Sequence, residues 1–257
     1  MLEHKDHIGF QTLFSRECHR FLRLYNQTLI PPLITAVLYI LIFGYSLGSR
    51  ISSIENVSYM HFLIPGLVMM SVISASYANT SSSLYIARFQ GHIQELLVSS
   101  LSTFEIVAAL ILGGVVRGIC AGSLVGLAAI LLTGITISNP LLTALFMVFV
   151  AFIFSCAGFL SAMWAQDFDR LSLFQTYILS PMIYLGGVFF SVSMLPGFWQ
   201  TVARANPMLY FVNGLRYGFL GISDVNVTGS AIAVVIVAIV VFSICYRLFS
   251  TGYNIKT

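Results

Sequence analysis

The stretch FQGHIQELLVSSLSTFE, residues 89–105, separates two long apolar runs and carries a pattern of its own. Ile93, Leu96, Leu97 and Leu101 recur at helical spacing, while Gln94, Glu95, Ser99 and Ser102 fall largely on the other side. A plain connector between membrane spans needs no such pattern. The spacing predicts a short amphipathic helix, entered through Gly91 and His92, over residues 88–102.

The flanking sequence sets the class. Of 257 residues, 58% are hydrophobic and 8% charged, with a mean hydropathy of +0.93. Soluble domains carry about a quarter charged residues, so the chain reads as an integral membrane protein. A net charge of +3 is too small to suggest nucleic acid as a partner. The N-terminal MLEHKDHIGFQ has no early apolar core, and no cleavable signal peptide is expected.

Spanning helices need about 20 apolar residues. Six runs approach that length: residues 29–47, 61–88, 105–132, 140–164, 171–190 and 229–246. Pro31 and Pro32 fall in the first turn of the first run, where a missing N–H costs little. The second has no charged residue between His61 and Arg88, yet NTSSS (residues 79–83) makes its second half polar. SNP (138–140) separates the third from the fourth. Residues 191–226 are semi-apolar and rich in Gly, Pro and aromatics. Two short re-entrant helices dipping into the outer interface suit them better than a crossing.

Ahead of the first run, Phe10, Leu13, Phe14, Cys18, Phe21, Leu22 and Tyr25 follow the i, i+3, i+4, i+7 rhythm, with Arg16, His19, Arg20 and Arg23 opposite. This predicts a basic amphipathic helix within residues 8–28, lying along the membrane surface. The expected fold is therefore one all-α transmembrane domain over residues 1–257, with six spans, an N-terminal interface helix and two re-entrant outer helices. Lys5, Arg16, Arg20, Arg23, Arg88, Arg170, Arg247 and Lys256 then share one side, against Arg50, Arg204 and Arg216 on the other. The positive-inside rule makes both termini cytoplasmic.

Chemistry is sparse. A P-loop requires Gly-Lys-Ser/Thr, but the two lysines, Lys5 and Lys256, follow His4 and Ile255. Any ATP-driven work is expected from a separate subunit. No HExxH or GxSxG occurs, and D-x-D at Asp167 and Asp169 lies in a short loop beside Arg170, read as a solvated turn. Cys18, Cys120, Cys156 and Cys245 form no CxxC and read as packing residues; no metal site is expected. Arg117 stands about 18 Å along a helix from Glu105. It either meets an anionic substrate or braces the bundle, or snorkels towards headgroups. Gly114, Gly118, Gly122 and Gly126 make three overlapping GxxxG units. Close packing within the chain is expected, with a dimer seam as the alternative.

Two blocks carry a resemblance: FLIPGLVMMSVISASYANTSSSLYIARFQGHIQELLVSSLS (62–102) and SPMIYLGGVFFSVSMLPGFWQTVARANPMLYFVNGLRYGFLG (180–221). With the preceding amphipathic helix, they resemble the membrane subunit of type-2 ABC exporters over nearly the whole chain. Within that family the chain looks nearest to uncharacterised enterobacterial inner-membrane export permeases encoded beside a lone ATPase. The resemblance implies a bacterial inner-membrane homodimer working with two copies of a separate ABC ATPase, which binds ATP and Mg; no cofactor is implied in this chain. Arg88, Gln90, Gly91, His92, Ile93, Gln94, Glu95 and Leu96 match the coupling helix in the ATPase cleft. Arg16, Glu17 and Arg20 match the interface helix. Pro181, Gly186, Gly187, Pro196, Asn206, Pro207, Gly214 and Arg216 match the C-terminal signature and are read as shaping the outer gate.

The implied function is ATP-driven export of a hydrophobic, amphipathic or lipid-linked substrate. An ion-coupled secondary transporter would need an intramembrane carboxylate, whereas Glu105, Asp167 and Asp169 fall near span ends. A membrane assembly scaffold is the remaining alternative.

Overall fold

The computed structural model describes residues 3–47, 53, 54, 57–223 and 225–253. Arg50 and Lys256, used above for orientation, lie outside them. The chain opens with α1 (Glu3–Arg23) and a short α2 (Tyr25–Thr28). α3 (Ile30–Tyr39) has its prolines in the first turn, as the sequence predicts, and runs on as π-helix over Ile40–Leu47. Long α4 (Tyr59–Phe89), short α5 (His92–Val98), α6 (Thr103–Thr133) and α7 (Pro140–Trp164) follow. Asn139 caps α7 through the Leu142 N–H, which explains why SNP divides two apolar runs.

Among the described residues, five segments are long and apolar enough to cross a membrane: Tyr25–Gly44, α4, α6, α7 and Val227–Ser250. The fifth run of the sequence is built differently. It is helical from α8 (Phe168–Leu173) through a π-helical turn (Phe174–Leu179) to α9 (Ser180–Leu185), then turns at Gly187 with φ +78°. At about 1.5 Å per residue it extends roughly 27 Å. Beyond it come a 3₁₀ turn (Val192–Met194), α10 (Gly197–Ala205) and α11 (Pro207–Leu220), the two short helices expected in that region. α12 (Val227–Ser250) closes the fold.

The centre of the bundle is α4, not the most apolar helix. Its membrane-length window is 78% buried, against 17% for α12, whose exposed Ile232, Ile236, Ile239 and Val240 suit lipid contact. α4 tolerates its hydroxyl groups because they return to its own backbone: Ser71 donates to Leu67 O and Ser76 to Val72 O.

The small residues of α6 meet those of α4. A Cβ on Gly114 would stand 2.2 Å from Thr80 Oγ1 and 2.3 Å from Ser155 Oγ, one on Gly118 1.8 Å from Ser76 Oγ, and one on Gly122 2.4 Å from Val72 Cγ2. The GxxxG face is therefore an internal seam between α6, α4 and α7 at these three positions. Gly158 of α7 approaches α4 as closely, 2.5 Å from Tyr77 O on the same measure.

At one end of the bundle α11 is tucked between α4 and α7. Its last turn accepts hydrogen bonds from the Ser138 and Asn139 N–H groups through Phe219 O and Gly218 O. Gly214 lies against the Phe146 ring and Gly218 against Thr143. The other end carries α5 and the start of α1.

Candidate functional site

At the α5 end, Gly91 has φ +78° with nothing within 4 Å of an added Cβ, so backbone conformation alone demands glycine there. The turn lets α5 leave the axis of α4. Ile93 is 3% exposed and joins the core of the bundle, and Leu96 packs beside it. These two anchor α5 to its own bundle, whereas the sequence pattern allowed them to face a partner. What α5 presents outward is Glu95, 79% exposed and 3.6 Å from His92 Nδ1, together with exposed Leu97 and Val98. Gln90 and Gln94 are exposed as well.

Arg88 is directed inward. Its Nη1 donates to Ala162 O, to Met163 O at 3.1 Å and to Ala165 O at 3.3 Å, at the C-terminal turn of α7. A guanidinium there satisfies carbonyls that the helix leaves unpaired. Replacing Arg88 with Gln should cost about 1.5–3 kcal/mol, the scale of hydrogen bonds to a charged group, read from chemical unfolding in detergent.

α1 is bound to the bundle by a buried polar network. Glu17 is 1% exposed, with a carboxylate oxygen 3.1 Å from Arg20 Nη2 and another 3.5 Å from Arg16 Nη2. Ser83 Oγ donates to Glu17 at 2.7 Å, and Arg20 Nη2 donates to both Asn79 O and Asn79 Oδ1. The polar NTSSS half of α4 is thus the receptor for α1. Sequence periodicity put α1 on the membrane surface; Leu13 and Phe21 are indeed buried, but Leu22 and Tyr25 of the predicted apolar face are exposed. Glu17 is turned into the protein, while Arg16 remains half exposed.

Between the polar face of α1 and the end of α4 lies an open cleft of about 710 Å³. Arg16, Glu17, His19, Arg20, Arg23 and His92 are among the residues that line it, five basic side chains to one carboxylate. Its lining is basic and adjoins α5. Next to it, Ser102 and Glu105 form a reciprocal capping box that starts α6. The S-x-x-E spacing signals this cap directly, and it assigns Glu105 a structural role. Asp167 likewise caps α8 through the Arg170 N–H and pairs with its side chain at 3.2 Å.

The C-terminal signature residues gather at the α11 end. Arg216 is fully buried, so it is no exposed loop charge: its Cζ lies 3.8 Å from the Phe62 ring centroid and its Nη2 donates to Gly187 O at 2.6 Å. Asn206 caps α11 and donates to Met182 O at 2.7 Å, and Pro207 occupies the first turn. A Cβ on Gly186 would stand 2.6 Å from Met208 Cβ. Pro181 lies in the first turn of α9, and Pro196 immediately precedes α10. These residues lock α9, α11 and α4 together.

Both blocks, the α4–α5 unit and the α9–α11 unit, fall in one matched region: the chain matches the ABC-2 type transporter family over residues 8–220. The chain belongs to that family. It is 42% identical to the inner membrane transport permease YadH of Escherichia coli (strain K12), over 97% of this chain and 98% of that protein. It is also 29% identical to nodulation protein J of Rhizobium leguminosarum bv. viciae, over 74% of each chain. The bundle is therefore an ABC-2 type permease, an all-α protein spanning the membrane several times.

Proposed function

We propose that this permease is the membrane subunit of an ATP-driven exporter in a bacterial inner membrane, acting as a homodimer with two copies of a separate ABC ATPase. The observation that carries this is the α5 tip. A short helix, set off by a left-handed glycine, offers Glu95 and two exposed apolar side chains beside a basic cleft. In this reading both termini and α5 are cytoplasmic, residues 168–185 supply a sixth crossing, and the α10–α11 pair faces outward. ATP and Mg are bound by the partner.

The cleft suits an acidic segment of the ATPase, since Arg16, Arg23, His19 and His92 line it. Movement of that partner would pull on α5, and Ile93 would pass the pull to the core. α1 would move with α4, because Glu17, Arg20, Asn79 and Ser83 join them. The cargo class is hydrophobic, amphipathic or lipid-linked; the similar YadH is named a transport permease, which agrees with transport as such. Glu17 does not favour ion coupling, because two guanidinium groups and a serine hold its carboxylate as a fixed counter-charge.

Glu95→Lys and Gly91→Pro separate the coupling role from folding. Glu95 touches little, so its reversal leaves the bundle intact; proline cannot adopt φ +78° and must re-aim α5. Both variants should insert normally, while transport and stimulation of the ATPase fall at least about tenfold, the loss of one charge-assisted contact or of its geometry. Wild-type transport in both would refute coupling through α5.

A further inference from the structure

The basic cleft between α1 and α4 has two unlike ends, and the course of α1 places them. A Cβ on Gly9 would stand 2.7 Å from Leu101 Cδ2, ahead of α6, whereas one on Gly113, well inside α6, would stand 2.6 Å from Glu17 Cβ. α1 therefore descends beside α6, from the α5 end towards the bilayer. The first span sets the depth at which it arrives. Tyr25–Gly44 has 20 residues, about 30 Å of helix, and Gly44 lies against Met60 at the start of α4. That length matches the hydrocarbon of a bilayer, so Arg23 and Leu24, just ahead of the span, stand at its edge.

The lining changes along the same line. Thr12, Arg16, Gln90 and His92 form the α5 end of the cleft, and Arg20, Arg23 and Leu24 the membrane end. Leu24 is exposed, and so are Leu22 and Tyr25 next to Arg23 and Leu24 in the chain, so this end opens onto hydrocarbon. Glu17, the one carboxylate among the lining residues, already takes Arg16, Arg20 and Ser83. Arg23 is exposed and pairs with no described carboxylate.

A free guanidinium at the hydrocarbon edge, beside an apolar strip, suits a ligand that carries both an anion and a chain. A phospholipid has both: its phosphate oxygens match guanidinium donors, and its acyl chain continues along Leu24 and Tyr25 into the bilayer. An acidic protein segment matches the charge alone. Basic pockets beside membrane helices at this level hold anionic headgroups.

We infer that the membrane end of the cleft holds an anionic phospholipid, its phosphate on Arg23 beside Arg20 and its chain against Leu24. The α5 end is left to the ATPase segment proposed above. The lipid needs no ATPase, so this site and the coupling role of α5 stand or fall separately.

The test uses the full chain, without an ATPase, in nanodiscs of phosphatidylcholine with an equal share of phosphatidylglycerol, and retained lipid is counted by native mass spectrometry. Wild type should retain one phosphatidylglycerol per chain, preferred about fivefold over phosphatidylcholine, the factor that one basic side chain at the surface supplies. Arg23→Gln should bring the ratio to about one, and Arg23→Lys should keep it because the charge remains. Arg16→Gln, about 10 Å nearer α5 along the helix, should change it less than about twofold. Matching elution and helicity establish that the four proteins are equally folded. A preference absent from wild type or unchanged in Arg23→Gln overturns the proposal, and an equal fall in Arg16→Gln overturns the assignment to the membrane end. Two further probes are added to discs of phosphatidylcholine alone. Arg23-dependent binding of a glutamate-rich peptide, without any headgroup preference, overturns the lipid and gives the whole cleft to protein. Arg23-dependent thermal stabilisation by inorganic phosphate, again without headgroup preference, overturns the lipid as source and assigns the site to free phosphate.

Discussion

Glu17→Ala should destabilise the permease by about 3–5 kcal/mol, the cost of removing one partner from a buried ion pair. The carboxylate is 1% exposed and is the anion for Arg20, whose other partners are the Asn79 carbonyl and amide oxygens. Without it, Arg20 keeps only the uncharged Asn79 oxygens, and Ser83 Oγ loses its acceptor. Chemical unfolding in detergent reads the loss. Glu17→Met combined with Arg20→Met should recover much of it, since no uncompensated charge then stays buried. A near-neutral Glu17→Ala would mean that α1 is held by its apolar face alone.

The second large effect lies in the seam. Gly114→Leu should cost about 3 kcal/mol or more, because the new side chain meets α4 and α7 together and overpacking has no outlet. Its Cβ alone would come within 2.3 Å of both Thr80 Oγ1 and Ser155 Oγ, and 3.0 Å from Ser76 O. Gly126→Ala, the control, should be neutral or slightly stabilising. The nearest atoms to its Cβ would be Val68 Cγ2 at 3.8 Å and Phe219 Cζ at 4.0 Å, and alanine is the better helix former. Unfolding midpoints of the two variants give the comparison. Equal effects would show that glycine spacing, not contact, matters at these positions.

That contrast marks how far the sequence could be read. The glycines of α6 repeat every four residues and look equivalent along the chain. Only three of them would bring a Cβ within 3 Å of a neighbour; at Gly126 the nearest atom is Val68 Cγ2 at 3.8 Å. Likewise Glu17 is one carboxylate on a helix of basic residues, and its spacing gives no sign of burial. Asn79 and Ser83 looked like polar blemishes in a span until α1 was docked on them. Arg88 reads in the sequence as a residue of the α5 turn beside Gly91, and only the fold shows its guanidinium donating to the C-terminal carbonyls of α7.

The sequence alone determined the properties that depend on neighbours along the chain. These are the membrane class, the positions of the long helices, the glycine turn into α5, the proline starts of α3 and α7, and the family resemblance. Hydropathy and 3.6-residue periodicity are local, so they survive without a fold. The tertiary structure decided which polar groups are buried together, and which apolar residues of α5 anchor it and which remain exposed. Those outcomes depend on contacts between residues 30 to 80 positions apart, such as Ser83 with Glu17 and Arg88 with Met163. In a bundle whose helices are all apolar, hydrophobicity fixes that they pack. The few buried hydrogen bonds and ion pairs, together with glycine contacts, fix how.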